Sequence, residues 1–569
     1  MKKGLFILLI FCFSLTIISC SDEKEEYSAT GTTTTDNTTT TDNTTTTDTT
    51  APTVSSISPT DNQSRVSVSD NISVTFSEAM DNSTVTTNST NTSCSGSFQV
   101  SSDNFSSCVQ MSSYPSSSNS YKTFTVDPSD NLSGTTYHNI RITTGVKDTV
   151  GNTLSSQYET TIGFSTWSGT QQLGTSESDE PYGVTVDSSG NIYVTGYAGS
   201  GEGLDGNTSS GGDDIFLVKY NSSGVKQWTK QLGTSSSDSG NGVTVDSSDN
   251  IYVTGYTGGG LDTNTNAGGL DLILVKYNSS GTKQWTKQLG TSAQDSGKAV
   301  TVDSSNNIYV TGNTGGGLDT NNNSGSNDIF LVKYNSSGTK QWTKQLGTSA
   351  HEWGYGVTVD SSDNIYVTGT TGGGLDGNTH LGGSWDIFLV KYNSSGTKQW
   401  TQQLGTSSDD GAQGVTVDSS DNIYVTGWTS GGLDGNNSGA DDLILVKYLD
   451  NGTKVWTKQL GTSSQDTGYG VTVDSSDNLY VTGPTSGGLD GNTNAGDSDL
   501  FLVKYNSSGT KQWTKQLGTS ANDKGNEVTV DNSSNIYITG YTSGGLDGNT
   551  NAGGTDIFLV KYNSDGVKQ

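Results

Sequence analysis

The sequence predicts an all-β chain, with a β-sandwich over residues 51–165 and a closed seven-bladed β-propeller over residues 166–569. Three observations lead there. Apolar residues gather in short β-branched and aromatic runs such as "GVTVD", "NIYVTG" and "DIFLVKYN", bounded by Gly, Ser, Asn and Asp, the mark of many short strands. The tryptophans Trp167, Trp228, Trp285, Trp342, Trp400, Trp456 and Trp513 recur every 56–61 residues, with the same phrases between them. Beyond the extreme N-terminus no segment sustains the 3.6-residue apolar period of a helix.

The opening "MKKGLFILLIFCFSLTIISC" has Lys2 and Lys3, a short apolar run and small Ser19 ahead of Cys20. That order is a secretory signal, not a structural helix. It resembles a bacterial lipoprotein signal. The resemblance implies cleavage after residue 19, acylation of Cys20 (palmitate among the chains), and, with Ser21 next, an outer-membrane, surface-exposed address. Residues 20–50 follow as a Thr-rich tether, "TGTTTTDNTTTTDNTTTTDTT", with nothing apolar to offset the entropy of ordering it.

Strand-like runs then alternate with turn signals from Ala51 to residue 165. Roughly seven short strands over about 115 residues suit a β-sandwich. "NISVTFSEAMD" with "LSGTTYHNIRITTGVKDTVGN" resembles bacterial Ig-like domains of the surface-layer type. Cys94 and Cys108 are the other cysteines after the signal. An exported chain meets an oxidising compartment, so they are expected to form a disulfide.

Each repeat supplies four strand candidates: A "GVTVD", B "NIYVTG", C "DIFLVKY" and D "KQWTKQLG". The A–B link "SSDN" and the C–D link "NSSG" are tight turns. Seven four-stranded antiparallel units make a propeller. "VTVDSSDNIYVTGYT" and "DIFLVKYNSSG" resemble the seven-bladed β-propeller repeat called SBBP. Strand D follows only the first six C strands. A seventh D-like phrase, "TWSGTQQLGT", stands at Thr166–Thr175, before the first A strand. In a ring it lies beside the last C strand and covers an edge that would otherwise template aggregation. The D phrase missing at the C-terminus is thus expected to come from the N-terminal side.

In such a ring the D–A and B–C loops share one face and the near-identical turns share the other. The variable face holds the candidate sites. Its B–C loops open at Asp205, Asp262, Asp319, Asp376, Asp434, Asp490 and Asp547, each with Asn two residues on. Oxygen ligands from one bendable segment suit calcium, whereas the same residues also make ordinary Asx-turns. No glutamate closes the loop as in an EF-hand. Blade 4 breaks the repeat: "HEWGYG" and "GNTHLGGSWD" bring His351, Glu352, Trp353, His380 and Trp385 to that face. Aromatic rings beside polar groups can stack a sugar or hold a peptide; drift among duplicated loops is the plain alternative. The repeat tryptophans are read as packing between blades.

Formal charge is −30, or −32 without the two signal lysines. A polyanion of this size is repelled by nucleic acids, so none is expected as partner. No Ser/His/Asp set, Cys–His pair or phosphate loop is present, and the propeller has no arginine. The sequence therefore reads as a monomeric, non-enzymatic surface lipoprotein whose propeller binds an extracellular protein or glycan, touching the membrane only through its lipid anchor. The alternatives are a cation-stabilised structural component of the envelope and a propeller hydrolase or lyase using His351 with Glu352.

Overall fold

Alternation of buried and half-buried residues builds the first domain. In the computed structural model, which describes residues 48–569 apart from 64, 65, 69, 131, 134, 135 and 168, its strands are β1 (Val54–Ser58), β2 (Val66–Ser67), β3 (Ile72–Phe76), β4 (Phe98–Ser101), β5 (Ser116–Ser118), β6 (Thr123–Val126), β7 (Tyr137–Ile142), β8 (Tyr158–Glu159) and β9 (Phe164–Trp167). The signal sequence and Cys20 lie outside the described residues. One sheet runs β1-β3-β6-β5 and the other β2-β9-β7-β4, with β8 on β7. Ile72, Val74 and Phe76 of β3 meet Phe98, Val100, Ile140 and Ile142 in one core, as a sandwich requires. Cys94 and Cys108 form a disulfide.

Seven four-stranded antiparallel sheets follow. In blade 1, strand A is Asp179–Val186, B is Ile192–Ala198, C is Asp214–Tyr220 and D is Lys226–Leu232. Strands are apolar on both sides because each blade is covered on both faces. Tyr193, Ile215 and Leu217 of blade 1 pack on Ile251, Val253 and Ile273 of blade 2. Ile192, Val194 and Phe216 turn the other way, onto Tyr537, Ile557 and Leu559 of blade 7. That second cluster joins the last blade to the first, so the ring closes.

The closing strand is β10 (Thr170–Leu173), antiparallel to Asp556–Tyr562, with Thr170 opposite Val560 and Leu173 opposite Ile557. The repeat's fourth strand is here assembled from two pieces, since Lys568 pairs with Tyr562 beyond β10. Of the segment Thr166–Thr175, only Thr170–Leu173 enters the propeller. Trp167 instead ends β9, paired with Ser67 in the sandwich. The first of the seven periodic tryptophans is thus a sandwich residue. Gly169 carries the chain across at φ 81°, where a Cβ would come within 2.7 Å of the Gln569 carbonyl. Ser165 Oγ of β9 lies 2.8 Å from Ser223 Oγ in the C–D turn of blade 1. Ser223 is buried there, whereas its counterparts Ser280 and Ser337 are exposed. Among the described residues no helix is long and apolar enough to cross a membrane.

Candidate functional site

Most residues that recur in all blades are occupied in holding the ring. Asp187 accepts from the Ser189 and Asn191 backbone N–H groups (3.0 and 2.8 Å) and from Tyr193 Oη at 2.9 Å, which fixes the "VTVDSS" turn. Lys219 lies 5.2 Å from the Tyr193 ring centre and donates to the Ser279 carbonyl of the next blade at 3.0 Å. Trp228 packs 6.2 Å from Tyr193. A Cβ on Gly281 of the next C–D turn would stand 2.9 Å from the same indole. The six strand-D tryptophans from Trp228 to Trp513 are therefore blade-to-blade packing, as expected, whereas Trp167 is not.

The seven loop aspartates find protein partners. Asp205 pairs with Lys226 and accepts from Thr229 Oγ1 at 2.7 Å, both on strand D of its own blade. Asp262, Asp319, Asp376 and Asp490 pair likewise with Lys283, Lys340, Lys398 and Lys511. Asp547 is held by Lys568 from one piece of the composite strand and Thr170 from the other. Asp434 instead accepts from the Asn436 N–H at 3.1 Å. Among the described residues no three of these carboxylates converge on one point. Turn geometry and the lysine–threonine clasp account for their recurrence.

Blade 4 brings three of its five singled-out side chains together as aromatic surface. Trp353 and Trp385 stack at 5.0 Å and 24°, and His351 lies 6.4 Å from each ring. With the Asn327 amide turned to donate to the Ser326 carbonyl, its oxygen accepts from Trp353 Nε1 at 3.0 Å. Leu381 adds a side chain 47% exposed, where other loops carry Ala or Ser. Glu352 does not join them. It is fully buried and accepts from Thr348 N and Oγ1 (2.7 and 2.6 Å) and Thr371 Oγ1 (3.0 Å). That is the place of Asp238 in blade 2, whose carboxylate binds Thr234 the same way. His380 takes the place of Asn266, 3.1 Å from Asp386 and 3.3 Å from the Gly383 carbonyl.

Sequence reasoning missed the central channel. In six A strands the ladder slips by one residue, between Gly240 and Gly242 in blade 2 and at matching points elsewhere. A β-bulge re-aims the extra side chain. Here it turns Tyr182, Asn241, Lys298, Tyr355, Gln413 and Asn526 into the channel, joined by Tyr469 where blade 6 starts its strand late. The cavity they line measures about 550 Å³. The following position is Gly in five blades, Ala299 in blade 3 and Glu527 in blade 7. Burial pushes the Glu527 carboxyl up to about 8, against one hydrogen bond from the Val528 N–H at 2.9 Å. Burial also holds the Lys298 ammonium below its usual range. Burial keeps the phenols of Tyr182, Tyr355 and Tyr469 neutral well past their ordinary pKa. Trp353 touches Tyr355 edge-on at 6.2 Å, so the aromatic patch runs from the rim to the channel wall. The signal was present in the sequence: written one above another, the seven A phrases read Tyr, Asn, Lys, Tyr, Gln, Tyr and Asn at the residue before the near-constant "GVTVD".

Comparison with known proteins agrees with this architecture. The bacterial Ig-like domain family matches residues 48–166. The β-propeller repeat family SBBP matches residues 169–202, 227–262, 284–319, 341–376, 399–434, 455–490 and 512–547. An uncharacterised WD repeat-containing protein of Acanthamoeba polyphaga mimivirus is 24% identical over 65% of this chain and 35% of its own length. The regulatory protein FlaEY of Caulobacter vibrioides is 24% identical over 65% of this chain and 45% of its own. The chain thus spans less than half the length of either relative. Among solved structures, an ulvan lyase superposes with TM-score 0.40 at 13% identity, covering 69% of this chain and 96% of that one. The Pan2 WD40 domain of Neurospora crassa gives 0.37 at 10%, covering 68% and 91%. The chain carries seven SBBP β-propeller repeats behind a bacterial Ig-like domain.

Proposed function

We propose that this protein is a non-catalytic binding scaffold of the bacterial cell envelope, anchored through an acylated Cys20. The Ig-like domain carries the propeller, and the face of D–A and B–C loops holds a glycan. One observation carries the reading: the stacked pair Trp353–Trp385, with His351 beside it, occurs in a single blade of an otherwise near-uniform ring. Half-exposed indoles among Asn, Ser and Thr offer CH-stacking and hydrogen bonds together, which suits sugar rings. Exposed Leu381 favours a protein segment as the second reading. A hydrolase or lyase built on His351 and Glu352 has less support, because Glu352 is engaged by Thr348 and Thr371.

Glycan and protein arrays probed with wild type and a Trp353→Ala/Trp385→Ala double variant test this. Glycan binding by wild type that the variant loses supports it; binding of equal strength by both removes the site. For the anchor, Cys20→Ala is expected to abolish palmitate labelling and release the protein from the membrane fraction. Continued labelling of the variant rules Cys20 out as the acylated residue.

A further inference from the structure

The residue turned into the channel is Tyr, Asn, Lys or Gln in the seven A strands, while the sequence after it is nearly fixed. Divergence among copies therefore extends to the channel wall. In six blades channel packing is already served by the small residue and the valine that follow. Only two charged side chains line the cavity, Lys298 and Glu527, and both stand at positions where other blades carry neutral residues.

We propose that the central channel is a ligand site for a small polyhydroxylated carboxylate, a free sugar acid, with the Lys298 ammonium receiving the carboxylate and the Glu527 carboxyl donating a hydrogen bond to a hydroxyl across the channel. Four arguments support it. The volume of about 550 Å³ lies within the range of small-ligand cavities. Lys298 and Glu527 stand on blades 3 and 7, on opposite sides of the ring, and among the described residues no ion pair joins them. Glu527 folds back against blade 6 rather than reaching over: a Cβ on Gly470 would lie 2.5 Å from its Oε1. The void between the two is lined by phenol and amide groups, which suit hydroxyls.

Protonation settles the sign of the charge. The groups facing Glu527 are Lys298 across the void, Tyr469 on blade 6, Tyr182 on blade 1, and Tyr256 and Tyr355 farther around the wall. All four phenols are neutral at pH 7, and burial keeps Glu527 protonated until about pH 8. Oε1 accepts from the Val528 N–H, which leaves Oε2 to carry the proton. With Glu527 protonated, Lys298 is the one cationic side chain lining the cavity; behind the wall the Glu180 carboxylate accepts from Tyr182 Oη at 3.0 Å, and Lys524 stands near Glu180 and Tyr469. The inference stands apart from the rim reading, because the Trp353–Trp385 pair is not among its residues.

Calorimetry on the full chain with D-gluconate and D-glucuronate tests it, with D-glucose and inorganic phosphate as the neutral and simple-anion arms. Saturable binding of at least one acid is expected, about tenfold or more tighter than glucose. Lys298→Met is expected to weaken it by about tenfold or more. Wild-type affinity is expected to fall above about pH 8 as Glu527 ionises, and this fall should be smaller in Glu527→Gln, which keeps only the part due to Lys298. The Trp353→Ala/Trp385→Ala variant is expected to bind the acids as wild type does. To keep the test independent of whether variants fold, acylation of Lys298 in wild type, read by mass spectrometry, should slow at saturating gluconate. The proposal is overturned if neither acid saturates by about 10 mM. Glucose or phosphate binding as tightly as the acids overturns it too, as does undiminished binding by Lys298→Met or unprotected Lys298 at saturation.

Discussion

Gly281 shows how tightly single residues are specified here. It sits at φ 78°, a region that side chains with a Cβ enter only at a cost, and a Cβ there would meet Trp228 at 2.9 Å and the Lys230 stem at 2.8 Å. Gly548 has a similar φ of 80°, but nothing lies within 4 Å of its would-be Cβ. The pair separates strain from crowding. Gly548→Ala is expected to cost about 1 kcal/mol, the backbone penalty alone. Gly281→Ala is expected to cost about 1–3 kcal/mol more, because the indole must shift within a packed blade junction. Urea unfolding of the two variants checks this, and equal losses would show that Trp228 moves freely. Glu527 gives a second prediction at this scale. Its carboxyl titrates up to about 8 in the fold against 4.5 when unfolded, so the fold binds more protons between those values. Wild-type stability therefore drops as pH rises through that window, whereas Glu527→Gln has no such loss. The variant is expected to gain on wild type from about pH 5 upward and to lead by about 1–3 kcal/mol near pH 9, water in the channel screening the rest. A constant difference across pH would mean that Glu527 is ionised in the fold at pH 7.

At the scale of strands, the ring could be read from the sequence because each strand type announces itself. "NIYVTG" and "DIFLVKY" alternate across two covered faces, and the surplus of C strands over D strands pointed to the closing partner. What could not be read were two junctions where strand pattern continues while pairing changes. "FSTWSGTQQLG" is one unbroken β-like phrase, yet β9 and β10 belong to different domains, and only Gly169 at φ 81° marks the change. The bulge was hidden in the same way: one extra residue just ahead of the "GVTVD" phrases leaves composition intact while reversing which side chains face the channel. The loops differ in length between blades, whereas the channel residues vary only in identity. The closing strand carries its own prediction. A chain starting at residue 168 keeps β10 and is expected to remain a folded monomer. One starting at residue 176 loses it, exposes the Ile557–Val560 edge, and is expected to self-associate. Light scattering after size exclusion separates the two, and a monomeric shorter chain would mean that this edge is protected without β10.

Over the whole molecule, repeated buried carboxylates set the response to pH. Burial, with Asp214, Asp386, Asp442, Asp499 and Asp556 close by, raises the pKa of Asp238, Asp410, Asp466, Asp523 and Asp179 above the ordinary 3.8. A raised acid holds its proton longer in the fold than in the unfolded chain, so folding loses stability as pH climbs past 3.8 through the raised value. Five such groups act in the same direction as Glu527, and so does repulsion within a chain of net charge −30. Opposing them, burial would raise Asp246, Asp418 and Asp474, but hydrogen bonds from Asn250, Asn422 and Asn478 and from the neighbouring tyrosines outweigh it and hold them below 3.8. Their contribution is present above 3.8 and lost as pH falls through the lower folded values. The first set costs stability as pH rises above 3.8 and the second as pH falls below it, so the stability maximum is expected on the acid side, with a decline toward higher pH and a loss at lower pH. Salt divides the decline into its parts. At about 0.5 M, screening removes most of the long-range surface repulsion, while the buried pairs, shielded from ions, keep their penalty. Thermal melting across pH, with and without salt, is therefore expected to show a decline that salt reduces without abolishing. A maximum near neutral pH, or a decline that salt erases, would mean that the buried aspartates do not hold protons and that each blade junction tolerates two ionised carboxylates.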